Sequence, residues 1–430
     1  MEKSKINWEK LSHQPAAILG DGVSGRGLKK LLQRLEWNSR IFDEKGIPLT
    51  ASKLSEASVV LVSPGFSPNH PWMQMVRSSQ IPFYGEMDFA SSFLMEKPLG
   101  VTGTNGKTTL SYLIGHIMSQ LGEQNVLLGN MGNSLSQYLG SSSNQRGKVI
   151  LEISSFQARN LKILKPSCSF WTNFEDDHLD YHQNRRDYFL SKMRLIERTS
   201  GPCFAGESVK FAARKLGIKY PDNIRFIERP GTAKFPLPAN HFLSSFPQRE
   251  NYSLAEAYFK SRGVSEKKIA EMAISFVPQP YRLSPVTKIN NTLFWNDSKS
   301  TNLSSTIAAF RSMGGKTTWI GGGKSKDNRI TEFAKEIKDY LDEAFVIGEV
   351  SDELSISLAE KGVPVSRCKS LPEAVEGAYR SGRPKNNILF SPGFSSFDQF
   401  QNYEERGKLF NQAVFDLKKK VRVSTHSSTT

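Results

Sequence analysis

Gly100-Val101-Thr102-Gly103-Thr104-Asn105-Gly106-Lys107-Thr108-Thr109 decides how the rest of this chain is read. Lys97-Pro98-Leu99 before it reads as the start of a short strand. Leu110, Leu113, Ile114 and Ile117 after it recur at helical spacing. The order is therefore strand, glycine-rich turn, helix. A turn of this kind exposes backbone N–H groups, and the helix start adds its positive dipole end, so together they suit a phosphate. Lys107 can reach outer phosphates, and the Thr108 hydroxyl can sit on Mg²⁺. The strict P-loop pattern has glycine where Val101 stands, so this loop is a variant of it.

The 430 residues are 38% hydrophobic and 23% charged, an ordinary globular composition with chain enough for two to four domains. The net charge of +15 is spread along the sequence apart from Lys418-Lys419-Lys420. A solvated basic surface accounts for much of that excess, and attraction of small polyanions such as nucleotides is the other use. Nucleic-acid binding would need a basic stripe and a recognition module, and the sequence has neither. Cys168, Cys203 and Cys368 are too far apart for a metal motif or a disulfide framework. Met1 to Gln14 is polar, and no apolar run approaches the roughly 18 residues of a membrane span. A cytoplasmic protein with no membrane span and no nucleic-acid partner is expected. Ser424 to Thr430 reads as a frayed end.

Ahead of the phosphate loop, Ala16-Ala17-Ile18-Leu19 is a short apolar strand running into Gly20-Asp21-Gly22-Val23-Ser24-Gly25. Leu28, Leu31, Leu32 and Leu35 then repeat as a helix face, and Ile41-Phe42-Asp43 ends a strand on an acid. This is the order of a dinucleotide-type βαβ unit, although the glycine pattern alone serves a structural turn equally well. Val59 to Val62, ending in Ser63-Pro64-Gly65, and Ile81 to Gly85 complete a parallel sheet, which binds ligands at its strand C-ends.

Behind the loop, Asn125 to Leu128 is a strand leading to Gly129-Asn130-Met131-Gly132-Asn133. Val149 to Gln157 is an apolar strand with Glu152 in its course and two serines after it. A carboxylate there is costly to bury unless it holds a cation, so Glu152 is a candidate Mg²⁺ ligand or else an edge-strand acid in water. Cys168 to Asn173 is a strand that ends in Asp176, Asp177, His178 and Asp180. Tyr188 to Ile196 is a helix bearing Lys192, residues 234–250 read as a connection, and Asn251 to Lys260 and Ser265 to Phe276 as helices. Pro278-Gln279-Pro280 reads as a linker. Beyond it, Thr292 to Trp295, Thr318 to Ile320, Ala344 to Ile347 and Asn387 to Phe390 are strands of a further α/β sheet, three of them ending in Lys, Ser or Thr clusters suited to a carboxylate or phosphate.

Together, Gly103 to Thr109, Leu151 to Gln157, Asp177-His178-Leu179-Asp180, Asn296 to Asn302 and Gly321-Gly322-Gly323-Lys324 resemble the motifs of the Mur ligase family, over about residues 16–415. These are ATP-dependent amide-forming enzymes of peptidoglycan precursor synthesis. Ser63-Pro64-Gly65, Asn296-Asp297-Ser298-Lys299 and Ser391 to Phe400 look most like the member that joins D-glutamate to UDP-N-acetylmuramoyl-L-alanine.

The resemblance implies an α/β fold with a Rossmann-like UDP-binding domain over 1–95 and a P-loop-like ATPase with a mainly parallel sheet over 96–280. A Rossmann-like amino-acid-binding domain over 281–430 follows. ATP and one or two Mg²⁺ are implied, in a monomer. It assigns Gly103, Thr104, Asn105, Gly106, Lys107, Thr108, Thr109, Asn251, Arg282 and Asp297 to ATP. Thr108, Glu152, His178 and a carbamylated Lys192 would ligate metal, with Lys107, Glu152, His178 and Lys192 the catalytic set. Val23, Ser24, Asp43, Ser63 and Asn130 would meet the UDP substrate, and Lys299, Thr301, Lys324, Ser396, Phe397 and Tyr403 D-glutamate. Two details depart from the family pattern: Glu250-Asn251 stands where the family has His-Asn, and the loop from Gly321 to Asp327 differs beyond its lysine. The competing readings are another Mur-type or folylpolyglutamate-type ligase and a non-catalytic nucleotide-binding relative.

Overall fold

Short apolar runs such as Val59–Val62 and Cys168–Trp171 fold here as buried parallel strands, and stretches with leucines at helical spacing, such as Val23–Arg34, fold as helices. The structure is a computed structural model, described for residues 6–131, 133–141, 145–178, 181–229, 235–239, 241–244, 246–325, 330–381 and 387–426. Leu179 and Asp180 of the acidic motif, Gly132, and Lys326 and Asp327 of the last glycine loop lie outside the described residues.

Three sheets carry the fold. The first comprises β1 (Ala16–Leu19), β2 (Ser39–Phe42), β3 (Val59–Val62) and β4 (Phe83–Gly85) in the order β2-β1-β3-β4, all parallel. The second comprises β5 (Leu99–Thr102), β6 (Asn125–Gly129), β7 (Lys148–Glu152), β8 (Cys168–Trp171), β9 (Cys203–Gly206) and β10 (Ile224–Ile227). Its order is β10-β9-β8-β5-β7-β6, again parallel throughout. The third comprises β11 (Ser284–Ile289), β12 (Thr292–Asn296), β13 (Thr317–Gly322), β14 (Leu341–Ile347), β15 (Val365–Arg367) and β16 (Asn387–Phe390). Its order is β11-β12-β16-β13-β14-β15, parallel except where β11 pairs antiparallel with β12. The sequence pattern missed β11. Its signal is the pair Asn290-Asn291, which closes a two-residue hairpin between Ile289 and Thr292 with Asn290 at φ 52°, a conformation asparagine tolerates.

The chain divides into two compact units, Met1–Pro238 with Arg249–Phe276, and Ala239–Gln248 with Val277–Thr430. Within the first unit the first two sheets share one apolar core. Leu28, Leu31 and Leu32 of the helix Val23–Arg34 pack with Leu135 and Leu139 of the helix Leu135–Ser141. Side-chain caps set several helix starts. Ser154 and Gln157 form a reciprocal capping box after β7, Asn184 accepts from Asp187 N–H, and Asn302 accepts from Ser305 N–H. The connection expected over 234–250 is shorter than its limits suggested, because the helix after it begins at Gln248. Among the described residues no helix is long and apolar enough to cross a membrane.

The first glycine turn is held by contact as well as by backbone freedom. A Cβ on Gly25 would lie 1.8 Å from the Gly20 carbonyl oxygen, whereas one on Gly22 would meet nothing within 4 Å. Gly25→Ala should therefore destabilise the first unit by about 1–3 kcal/mol. Gly22→Ser, which places a good capping residue before the helix, should be neutral or slightly stabilising. Thermal melts of the two variants check this, and equal melting temperatures would contradict it.

Candidate active site

The phosphate loop joins β5 to the helix Lys107–Gln120 at the C-terminal edge of the second sheet. Gly103 sits at φ 146°, and a Cβ there would strike Thr172 Oγ1 at 1.8 Å. Gly106 caps the helix at φ 80° with no side-chain hydrogen bond, which leaves the helix start to a ligand. Asn173 Oδ1 accepts from Asn105 N–H at 2.9 Å, and Thr172 Oγ1 donates to Asn105 O at 2.5 Å. Lys107 Nζ folds back to donate to Gly103 O at 3.0 Å and Thr104 O at 2.7 Å. Asn251, 145 residues after Gly106, is pressed against this loop: a Cβ on Gly106 would lie 2.8 Å from both Asn251 Oδ1 and Nδ2.

Glu152 ends β7, which lies between β5 and β6, so the edge-strand reading of this acid is excluded. It is 3% exposed. Thr108 Oγ1 donates to its Oε2 at 2.6 Å, and Asn130 Nδ2 donates to its Oε1 at 2.9 Å. Both oxygens are thus held by neutral donors beside the phosphate loop. Among the described residues no cluster of three or more His, Cys, Asp or Glu side chains gathers that could cage a metal. The oxygen atoms of Thr108 and Glu152 suit Mg²⁺, which keeps water and phosphate oxygens in its shell.

Lys192 lies on the helix Arg185–Arg198 with its side chain inside the protein, the residue being 1% exposed. Its Nζ donates to Gly103 O at 2.7 Å, the same carbonyl that Lys107 uses. Burial first, and repulsion by Lys107 second, push its pKa well below the usual lysine range, against the pull of Asp177 and Glu152. Tyr188, one helical turn earlier, places its ring 4.6 Å from Lys192 Nζ and its hydroxyl 3.2 Å from Thr104 Oγ1. The His178 ring lies 4.7 Å from the Phe156 ring and 6.4 Å from that of Tyr188, with Nε2 3.5 Å from Asp177 Oδ2. The structure therefore gathers Lys107, Thr108, Glu152, Asn130, Lys192 and Asn251 around one loop, with His178 carried beside Tyr188. Tyr188 was not singled out from sequence, although its position four residues before Lys192 puts both on one helix face.

In the first sheet, Asp43 Oδ2 accepts from Asp21 N–H and Oδ1 from Lys45 N–H, both at 3.0 Å. These bonds hold its carboxyl below the usual carboxylate range. Val23 is exposed and Ser24 half-buried at the start of the helix. Ser63 Oγ is buried without a hydrogen-bond partner and lies against Gly20. All four stand at strand C-ends, around one glycine turn.

In the second unit, Asp297 follows β12 and is buried. It accepts from Leu283 N–H at 2.9 Å, Ser391 Oγ at 2.8 Å and Ser300 Oγ at 2.5 Å, with Arg282 as its neighbouring cation. Lys299 Nζ lies 3.7 Å from the centre of the Tyr403 ring. Lys324 pairs by backbone with Ser395, and its Nζ is 3.5 Å from Glu349. Thr301 is half-buried, Ser396 buried, and Phe397 71% exposed. Arg406, which the sequence reading passed over, is fully buried. Its Nη2 donates to Ser298 O at 2.9 Å, Nη1 to Phe394 O at 3.1 Å and Nε to Ser298 Oγ at 3.1 Å. It ties the loop bearing Lys299 to the loop bearing Ser396, a role that no local sequence pattern announces.

Residues 101–205 match the Mur ligase middle domain. The chain is 30% identical over 406 residues to the UDP-N-acetylmuramoylalanine–D-glutamate ligase of Christiangramia forsetii, with 89% of each chain covered. This chain belongs to the Mur ligase family. It is also 29% identical to the Aquifex aeolicus ligase of the same name, over 92% of this chain and 97% of that one. The MurF ligase from Thermotoga maritima in complex with ADP shares the fold at a TM-score of 0.56 and 14% identity, covering 84% of this chain and 90% of that chain.

In this Mur ligase, burial pushes the Asp297 carboxyl up from 3.8 to about 6, outweighing its three donors and Arg282. A raised native pKa contributes stability that is fully present below the unfolded value and is lost as pH rises through about 6. Denaturant unfolding of the native protein and of Asp297→Asn should therefore differ by an amount that shifts against the native protein from pH 4 to 7, by up to roughly 3 kcal/mol. A difference independent of pH would contradict this.

Proposed function

We propose that this chain joins the amine of D-glutamate to the L-alanyl carboxylate of UDP-N-acetylmuramoyl-L-alanine, with ATP converted to ADP and phosphate. The observation that carries the reading is the convergence on one glycine loop of Lys107, Thr108 and the buried Glu152 and Lys192. Similarity to ligases of that name over most of the chain supports the substrates. We assign UDP-substrate binding to residues 1–95, ATP binding to 96–280 and amino-acid binding to 281–430, in a monomeric cytoplasmic enzyme.

A carboxylate and an amine do not condense at neutral pH without activation. The substrate carboxylate attacks the γ-phosphorus of ATP, the bond to the β-phosphate oxygen breaks, and ADP leaves. The amine of D-glutamate then attacks the acyl phosphate, the new C–N bond forms as the C–O bond to phosphate breaks, and the amine gives up its proton. Lys107 neutralises charge on the transferring phosphoryl group, as cations do in other phosphoryl transfers. Asn251 steadies the loop at Gly106. Val23, Ser24, Asp43, Ser63 and Asn130 orient the UDP substrate. Arg282 and Asp297 meet ATP, and Lys299, Thr301, Lys324, Ser396, Phe397 and Tyr403 orient D-glutamate. Mg²⁺, when bound, would be held by Thr108 and Glu152 with His178 as a further ligand, and supplies charge neutralisation on phosphate oxygens.

A neutral Lys192 amine has the lone pair needed to add to CO₂, forming an N–C bond and releasing one proton. The product is a carboxylate able to help hold a second Mg²⁺, and the burial of Lys192 beside Lys107 favours the neutral amine it requires.

Phosphate release from ATP should require UDP-N-acetylmuramoyl-L-alanine and D-glutamate together. Release that is indifferent to both, or that answers to another amino acid, would overturn the assignment. Lys107→Ala should lower turnover by about 10²–10³-fold with the fold retained by circular dichroism. Lys192→Ala should be comparably impaired and partly restored by acetate or formate. Peptide mass spectrometry in bicarbonate should find one CO₂ on Lys192, and an unmodified lysine together with no chemical rescue would end the carbamate proposal.

A further inference from the structure

The turn that carries His178 is fastened at several points. His178 sits at φ 54°, where a residue with a side chain is held only by its surroundings. Its carbonyl accepts from Tyr181 N–H at 3.1 Å and His182 N–H at 3.0 Å. His182 is buried, with Nε2 2.9 Å from Ser155 Oγ and Nδ1 3.4 Å from Asp187 Oδ2, so it pins the turn to the helices on either side. The Tyr181 ring packs on Phe156 at 4.2 Å. Its hydroxyl goes elsewhere: it donates at 3.1 Å to the carbonyl of Phe66, 115 residues earlier, in the loop after β3 of the first sheet.

That loop starts at Ser63, whose Oγ lacks a hydrogen-bond partner. It lies against the first glycine turn, since a Cβ on Gly20 would come within 3.1 Å of Ser63 Oγ and 3.2 Å of the Phe66 ring. One hydroxyl thus joins the segment assigned to the UDP substrate with the segment assigned to the transferring phosphoryl group. We infer that Tyr181 is a positioning residue for phosphoryl transfer: it holds the Ser63–Phe66 loop in register with the His178 turn, so that the bound carboxylate faces the γ-phosphate. The inference rests on the function proposed above. It is physically distinct from a ligand contact, because the hydroxyl is satisfied by protein and its effect passes through the two loops. A small misregister between two bound reactants slows their reaction without weakening either one's own binding.

Tyr181→Phe keeps the ring on Phe156 and removes only the donor. Its kcat should fall roughly three- to tenfold, the range set by one net hydrogen bond. Binding of a non-hydrolysable ATP analogue alone, and of UDP-N-acetylmuramoyl-L-alanine alone, should stay within about twofold of the unmodified enzyme by calorimetry, since one positioning contact is not a ligand contact. Tyr181→Leu, which loses the ring packing as well, should lower the melting temperature in addition. Unchanged kcat in Tyr181→Phe would overturn the inference. So would a fall in both separate affinities together with melting temperature, the mark of a structural role alone. An unmodified enzyme that binds neither ligand removes the proposed function and this inference with it, whereas normal turnover in both proteins removes only this inference.

Discussion

A carboxylate buried at the end of a central strand, with a threonine hydroxyl 2.6 Å away, is the constraint around which the first unit is arranged. Glu152 can occupy that place only if donors meet both its oxygens, because an unpaired buried charge costs several kcal/mol. Thr108 supplies one and Asn130 the other, and they come from opposite sides of β7. Meeting that demand fixes the start of the helix Lys107–Gln120, the end of β6 and the end of β7 relative to one another. The glycines at 103 and 106 follow from it, since the loop must pass close to Thr172 and Asn251 to deliver Thr108 at that distance.

The same loop tolerates two lysines that differ in burial. Lys107 and Lys192 both donate to the Gly103 carbonyl, so two ammonium groups would share one acceptor. Burial weighs on Lys192 more than on Lys107, which is half-buried and can swing toward a ligand. One lysine therefore stays partly open to solvent, while burial disfavours the charged form of the other. Tyr188 supports this split by laying its ring against Lys192 while its hydroxyl meets Thr104.

Much of this was legible because the chemistry is written in contiguous motifs. Gly103 to Thr109, Leu151 to Gln157 and the strand pattern around them each fit in one window, and local geometry then obliges the turn and the helix start. Glu152 was ambiguous in sequence only because strand order is not local: the acid is internal since β6 pairs outside β7. Asn251 stands in a stretch that departs from the family's His-Asn pattern, and its packing on Gly106 is not local in sequence, so no single window announces it. Tyr188 and Arg406 went unnoticed for the same reason, their partners being carbonyls and hydroxyls from distant loops that carry no side-chain signature. The β11–β12 hairpin was missed because its Asn-Asn turn lacks the glycine that usually marks one.

Arg406 shows what such distant partners accomplish in the second unit. Loops at strand ends are mobile unless something rigid holds them, and here a guanidinium on the helix Tyr403–His426 adds to the Ser391–Asp297 and Gly393–Ser300 hydrogen bonds between the two loops. Its planar set of donors reaches two loops at once, which an ammonium could not do with the same geometry. Ser298 Oγ closes the arrangement by donating to the Tyr403 carbonyl at 2.9 Å, returning the loop to the helix that bears Arg406. Lys299 lies next to Ser298, and its ammonium rests on the Tyr403 ring. Lys299 is thus held from both ends, its backbone through the Ser298 carbonyl bound by Arg406 and its charged tip by an aromatic face. The same loop sets a buried Ser396 beside an exposed Phe397, so the change from packed to solvent-facing side chains falls within one peptide unit, on the loop that Arg406 holds.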